Sequence, residues 1–151
     1  EKLNNLKSYD IVLINGDANK QTKSFIDKIM NINPNLKIFM GRYVPKNFSN
    51  FKKKKFLAFC GIGSPHTFYD SLRKLKIKLD GYKIFPDHYN YTDKDLQKLK
   101  ELAKKKGCKL ITTEKDYFRI KKPFRKNVNF LKIELSIDQE KKFYKYIKER
   151  L

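Results

Sequence analysis

An α/β fold is what this sequence predicts, and three observations predict it. Short apolar, strand-prone runs alternate with amphipathic stretches of helical period, the pattern of a mostly parallel sheet flanked by helices on both faces. Turn-forming residues punctuate the junctions between them. Three of the strand-prone runs, Lys55–Cys60, Gly81–Phe85 and Lys109–Ile111, end directly in polar segments, as strands of an open parallel sheet do where their carboxyl ends present loops to a ligand. Together these predict one domain of three layers, Rossmann-like in arrangement.

Asp10–Asn15 reads as the first strand, closed by Gly16-Asp17, and Lys20–Ile32 as a helix with Phe25, Ile29 and Ile32 along one face. Pro34-Asn35 turns the chain. Leu36–Arg42 and Lys55–Cys60 read as strands, separated by a polar loop whose turn formers are Pro45, Asn47, Ser49 and Asn50. Phe68, Leu72 and Leu75 stripe a second helix, and Leu96, Leu99 and Ala103 a third. Thr92 suits the N-cap of that third helix, with Asp95 three residues on and Gly107 as its stop. Lys109–Thr113 and Val128–Ile133 are further strands, before a last helix from Asp138 that carries Phe143, Tyr146 and Ile147.

Composition agrees with one folded domain. A chain of 151 residues can bury about 70% of its unfolded surface, enough for a core without staples. Hydrophobic content of 40% and aromatic content of 14% exclude a disordered chain. Cys60 and Cys108 adjoin apolar runs without paired spacing, so they read as small buried hydrophobes in a reducing compartment rather than as metal ligands. The apolar runs fall short of the roughly 18 residues that cross a bilayer, so this piece is expected to be soluble.

The net charge of +20 admits a nucleic acid, an anionic membrane surface or an anionic small molecule as partner. Most of it is Lys, a solvated point charge without the planar fork of Arg, which describes a solvated surface first. Coding bias in the source would give the same composition with no function attached. The runs Lys52–Lys55, Lys104–Lys106 and Arg119 through Lys126 also suit an anionic headgroup surface, at about 1 kcal/mol per residue near the lipid.

Three short segments carry the candidate chemistry. Gly61-Ile62-Gly63-Ser64-Pro65-His66 follows a strand: Gly61 and Gly63 permit tight or left-handed backbone, Ser64 can cap the next helix, and Pro65 suits its first turn. Backbone N–H groups there, with the helix dipole behind them, could receive an anion; the plainer reading is a tight turn with His66 on the surface. Asp87-His88, stiffened by Pro86, places a carboxylate that can orient an imidazole or raise its basicity. Thr113-Glu114-Lys115-Asp116 leaves a strand with hydroxyl, acid, base and acid in succession. Lys115 or Thr113 could meet an anionic ligand while Asp116 caps a helical turn, or a Glu-Lys or Lys-Asp ion pair could simply fix the loop.

The order and wording of these segments resemble the tetraacyldisaccharide 4'-kinase family, from about Ile11 to Arg119. Ile14-Asn15-Gly16 is similar to the family's Val-Asn-Gly stretch, and Ala58 through Pro65 to its Ala-x-x-Gly-Ile-Gly-x-Pro signature. Asp87-His88 falls at its Asp-His position, and Thr113 through Asp116 repeats its Thr-Glu-Lys-Asp box. The family's phosphate-binding Gly-x-x-x-x-Gly-Lys-Ser/Thr loop has no counterpart here, and the chain begins at Glu1. The expectation is therefore an excised C-terminal domain. Tyr117-Phe118 stands where the family usually has small or aliphatic residues.

The resemblance implies a part of the lipid A pathway enzyme that uses ATP and Mg²⁺, bound mainly by the missing half, to phosphorylate the 4'-hydroxyl of a lipid disaccharide at the cytoplasmic face of a bacterial inner membrane. It implies that His88 faces the cleft between the halves and supports an Asp of the other half in deprotonating that hydroxyl. Asp87 joins His88 as catalytic candidate; Gly61, Gly63, Ser64, Thr113, Glu114, Lys115 and Asp116 are the ligand-binding candidates. The reading from another class is a basic module for nucleic acid or acidic membrane. Phe48, Phe51 and Phe56 around Lys52–Lys55 are its best feature, and no nucleic-acid signature supports it.

Overall fold

A computed structural model describes residues 3–150 of the chain. In chain order the strands are β1 Ile11–Asn15, β2 Lys37–Pro45, β3 Lys55–Cys60, β4 Lys78–Ile84, β5 Lys109–Thr113, β6 Val128–Leu131 and β7 Ile133–Ile137. The helices are α1 Lys20–Ile32, α2 Pro65–Lys74, α3 Asp93–Lys105, α4 Glu114–Arg119 and α5 Glu140–Lys148. The strands divide between two sheets rather than forming one: β1-β2-β7, and β4-β3-β5-β6. The chain correspondingly forms two compact units, one running to Val44 and resuming at Glu134, the other Pro45–Ile133.

In the first unit β1 and β2 run parallel, from Ile11 beside Lys37 to Asn15 beside Gly41. α1 starts at Asn19, whose side chain accepts from the Thr22 N–H, the ordinary remedy for an unpaired first-turn donor. Ile29 is its buried residue, Ile32 is half-buried, and Phe25 is exposed, contrary to the expected stripe. The buried face is centred one residue further round, with Ile26 and Met30 half-buried beside Ile29. α5 packs through aromatic edges, Phe143 meeting Phe39 of β2 at 5.2 Å between ring centres.

The second unit contains the all-parallel sheet, with β3 flanked by β4 and β5, and β5 by β6. β3 is buried on both faces, and its alternation fills two cores. Phe56, Ala58 and Cys60 join Phe68, Tyr69 and Leu72 of α2; Leu57 and Phe59 join Leu96, Leu99 and Ala103 of α3. Three layers result, as the sequence predicts. Fully burying each of the Leu and Phe side chains here is worth about 1.5–3 kcal/mol, so both faces of this sheet contribute to the stability of the unit.

Several boundaries differ from expectation: β2 runs on to Pro45 instead of ending at Arg42, α5 starts at Glu140 instead of Asp138, and two further strand limits have a visible cause. β4 begins at Lys78 because its register on β3 shifts between Phe56 and Leu57, leaving Asp80 as an extra residue that interrupts the alternation. The expected strand Val128–Ile133 stops at Leu131, and Asn47 supplies the reason: its amide donates to Phe130 O at 2.8 Å and its carbonyl accepts from Lys132 N at 2.9 Å. A residue expected only to form a turn thus occupies the ladder groups of a strand end. α3 carries the full capping box, Thr92 and Asp95 each bonding the other's backbone. Gly107, at φ +62°, takes the left-handed stop for which glycine is suited.

Candidate functional site

Because β3, β4 and β5 are parallel neighbours, the segments that leave their carboxyl ends share one edge of the sheet. The Gly61 peptide is where they meet. Its N–H donates to Asp116 Oδ2 at 3.0 Å, and its carbonyl accepts from Arg119 Nη1 at 2.9 Å and from the His88 N–H at 3.2 Å. All three sequence segments are therefore tied to one backbone unit. Neither Gly61 nor Gly63 has a positive φ, so the expected left-handed freedom is not what they supply. Space is: a Cβ on Gly61 would lie 2.9 Å from Pro86 O and 3.1 Å from Tyr89 Cβ, and one on Gly63 would lie 3.2 Å from Asp87 Oδ2. Ser64 occupies the N-cap position of α2, yet its hydroxyl makes no capping bond and the residue is exposed. His66 lies exposed on the first turn of that helix.

Asp87 and His88 form a turn after β4. His88 has φ +58°, a left-handed conformation that costs a non-glycine residue about 1–2 kcal/mol and tends to occur where function demands it. Asp87 does not orient the imidazole by a hydrogen bond: its Oδ1 accepts from the His88 backbone N–H at 2.9 Å, while Oδ2 is 3.9 Å from Nε2. The ring is held from the other side. Arg119 Nη2 lies 3.1 Å from His88 Nδ1. The His88 side chain is 74% exposed and that of Asp87 51%, so the pair faces outward from a fixed base.

At the end of β5, Thr113 rather than Asp116 caps the short helix α4, its Oγ1 accepting from Asp116 N at 3.1 Å. Asp116 points inward and is fully buried. Its carboxylate accepts from the Thr113 hydroxyl at 2.7 Å, from Gly61 N–H and from Arg119 Nη1 at 3.2 Å. The ion pair that fixes this loop is therefore Asp116–Arg119, not one with Lys115. Lys115 is exposed and Glu114 half-buried. Arg119 is the residue that sequence reasoning missed; its position three residues after Asp116, the spacing of a helical pair, is the signal that marks it.

Aromatic packing backs this frame. Phe59, Phe85, Tyr89 and Tyr91 touch edge to face or tilted at 4.8–6.4 Å, arrangements that add to simple area burial. The Tyr91 hydroxyl is buried and interacts with the Asp116 carboxylate. Burial first, and then the Asp116 charge, push its pKa far above the ordinary phenol value. Cys60, buried on the opposite face of β3, donates to the Tyr69 hydroxyl at 3.3 Å, and burial raises its thiol pKa.

A cavity of about 480 Å³ lies at the other end of the sheet, lined by Lys100, Ala103, Lys104, Cys108, Lys109 and Asn129 among others. It touches none of the three segments. Lys104 lies in the last turn of α3, where it complements the helix dipole, so convergence of polar groups rather than concavity singles out the Gly61 edge. Among the described residues no group of three or more His, Cys, Asp or Glu could hold a metal ion, and no helix is long and apolar enough to cross a membrane.

The family described as tetraacyldisaccharide-1-P 4'-kinase matches residues 1–151. The tetraacyldisaccharide 4'-kinase of Pelagibacter ubique is 39% identical over 142 residues, which are 93% of this chain and 45% of that protein. The enzyme of the same name from Rickettsia akari is 35% identical over 133 residues, 88% of this chain and 39% of its own. This chain thus spans less than half the length of these relatives. A crystal structure of LpxK from Aquifex aeolicus, in complex with ATP, superposes with a TM-score of 0.59 at 21% identity, covering 92% of this chain and 51% of that one; at that identity it speaks for the fold alone.

Proposed function

This chain belongs to the tetraacyldisaccharide-1-P 4'-kinase family, and from that premise we propose that it is the C-terminal part of an ATP-dependent enzyme phosphorylating the 4'-hydroxyl of a disaccharide-1-phosphate lipid. The observation that carries the reading is the junction of the three family-like segments on the Gly61 peptide, with His88 held outward by Arg119. In phosphoryl transfer the protein contributes mostly positioning and charge stabilisation. A frame that fixes one imidazole at an exposed edge is a positioning device of that sort.

Roles divide by exposure. His88, the Ser64 hydroxyl and the Lys115 ammonium reach outward and are assigned to substrate and to the remainder of the enzyme. Gly61, Gly63, Thr113 and Asp116 build the frame, Asp87 pins the turn, and half-buried Glu114 closes the first turn of α4.

ATP supplies the transferred phosphoryl group, and Mg²⁺ its charge neutralisation. Among the described residues no group of three or more His, Cys, Asp or Glu converges, and the sequence has no phosphate-binding Gly-x-x-x-x-Gly-Lys-Ser/Thr loop. Both are assigned to the other part of the enzyme. The charge of +20 suits the anionic cytoplasmic surface of an inner membrane, where the lipid substrate would reside.

The test is transfer of labelled phosphate from ATP to the disaccharide lipid, by the full-length gene product and by this chain alone. Transfer by the first and none by the second is expected. Turnover by this chain alone, or none by the full-length protein, overturns the reading.

A further inference from the structure

We propose that Arg119 is a positioning residue that fixes His88 as a hydrogen-bond donor, presenting Nε2–H to an anionic oxygen; the functional consequence rests on the kinase reading above. The Arg119 guanidinium decides which ring nitrogen carries the proton. Arg has N–H donors and no acceptor, so a ring nitrogen 3.1 Å from Arg119 Nη2 receives a hydrogen bond through its lone pair. That nitrogen is Nδ1. In a neutral imidazole one nitrogen is the acceptor and the other carries the proton, so the proton is on Nε2.

The donor is itself immobilised. Arg119 Nη1 is bonded to Gly61 O at 2.9 Å and to Asp116 Oδ1 at 3.2 Å, and its side chain is 21% exposed against a fully buried Asp116. The Nε2 edge is left available, because Asp87 Oδ2 at 3.9 Å is too distant for a hydrogen bond. To accept a proton from substrate the ring would have to release Arg119. Its contribution is therefore a donated hydrogen bond, to a carboxylate of the remaining enzyme or to a phosphate or sugar oxygen, and not proton abstraction by His88 itself.

The chain contains two histidines, and exposed His66 serves as internal control. Diethyl pyrocarbonate acylates an unprotonated imidazole nitrogen and is read residue by residue by mass spectrometry. At slightly alkaline pH, His88 should react about tenfold more slowly than His66 despite its exposure, the factor carried by 1.4 kcal/mol of charge-assisted hydrogen bonding. Arg119→Met should bring His88 up to the His66 rate and leave His66 unchanged; Arg119→Lys should fall between. Equal rates in the unsubstituted chain, or a slow His88 that Arg119→Met does not release, overturn the proposal. Should Arg119→Met unfold, shown by an altered His66 rate, a through-hydrogen-bond ¹⁵N–¹⁵N coupling between Arg119 Nη2 and His88 Nδ1 in the unsubstituted chain decides: its presence supports the proposal and its absence overturns it. None of these readouts uses ATP or lipid, so their failure is separate from failure of the kinase reading.

Discussion

Asp116 reaches back 55 residues to hold the N–H of Gly61 at 3.0 Å. The contact joins the end of β5 to the end of β3, and through Arg119 it extends to the turn after β4. Fixed in this way, three loops behave as one unit. The outward placement of His88 is a property of the buried carboxylate behind it.

Asp116→Ala should destabilise the chain by about 3 kcal/mol, the low end for a broken buried ion pair, since Arg119 keeps some solvent. Thermal or urea unfolding measures it. Lys115→Ala, one residue away and exposed, should stay within about 0.5 kcal/mol of the parent. Equal costs would show that Asp116 anchors nothing.

Gly61→Ala forces a Cβ to within 2.9 Å of a backbone carbonyl, so the turn before Tyr89 must move. Overpacking of this sort costs about 1–3 kcal/mol, and the His88 N–H contact to Gly61 O should be lost with it. Amide exchange at His88 checks the second effect. Gly107→Ala has open space around it but φ +62°, and should cost about 1 kcal/mol through backbone strain without touching His88.

In the full-length enzyme, His88→Ala should reduce kcat by about 10²-fold or more, the size of a lost hydrogen-bond donor to developing charge, with little change in Tm. Asp87→Asn should act in the same direction but less. His88→Gly is the sharper case, for it removes the ring and also relieves the left-handed backbone, so Tm should hold or rise while turnover falls. Normal turnover in either His88 variant would make the residue structural.

The Thr92 hydroxyl and backbone N–H, with the Tyr89 hydroxyl, hold the Asp95 carboxyl below the usual carboxylate range. The folded value is lower than the unfolded one, so the stabilisation is complete above about pH 4 and is lost as pH falls through the folded value. The Tm gap between the parent and Asp95→Ala should therefore be widest near neutrality and close in acid. A gap that persists unchanged at low pH would remove the carboxylate from the account.

Sedimentation with vesicles should rise with anionic lipid content and fall with salt, because exposed lysines attract headgroups through a screened field. Nucleic acid can bind through the same non-specific attraction. Base-sequence preference that survives physiological salt would favour the binding-module reading instead.

Much of the architecture was legible from residues alone. Lys20–Ile32, Lys55–Cys60 and Lys109–Thr113 appear with the expected bounds, because each is an uninterrupted period flanked by strong stop signals. The β4 start was obscured by the bulge at Asp80, and the division at Lys132 depends on Asn47, which is 85 residues away. No local pattern encodes a partner at that distance. The three site segments were visible because strand ends and turn residues mark them. Their joining was not, since Arg119 reads as one more cation in a basic run until the sheet sets it between Asp116 and His88.

The junction at Gly61 also bears on the order of events in folding. Its amide proton is bonded to Asp116 of α4, the helix that directly follows β5, so the bond forms only once β3 and β5 have paired across the intervening α2, β4 and α3. Such long-range parallel pairing closes large loops and comes late. Without the β3–β5 pairing the Gly61–Asp116 bond cannot form, so Gly61 hydrogen exchange should report opening of that sheet rather than fraying of a loop.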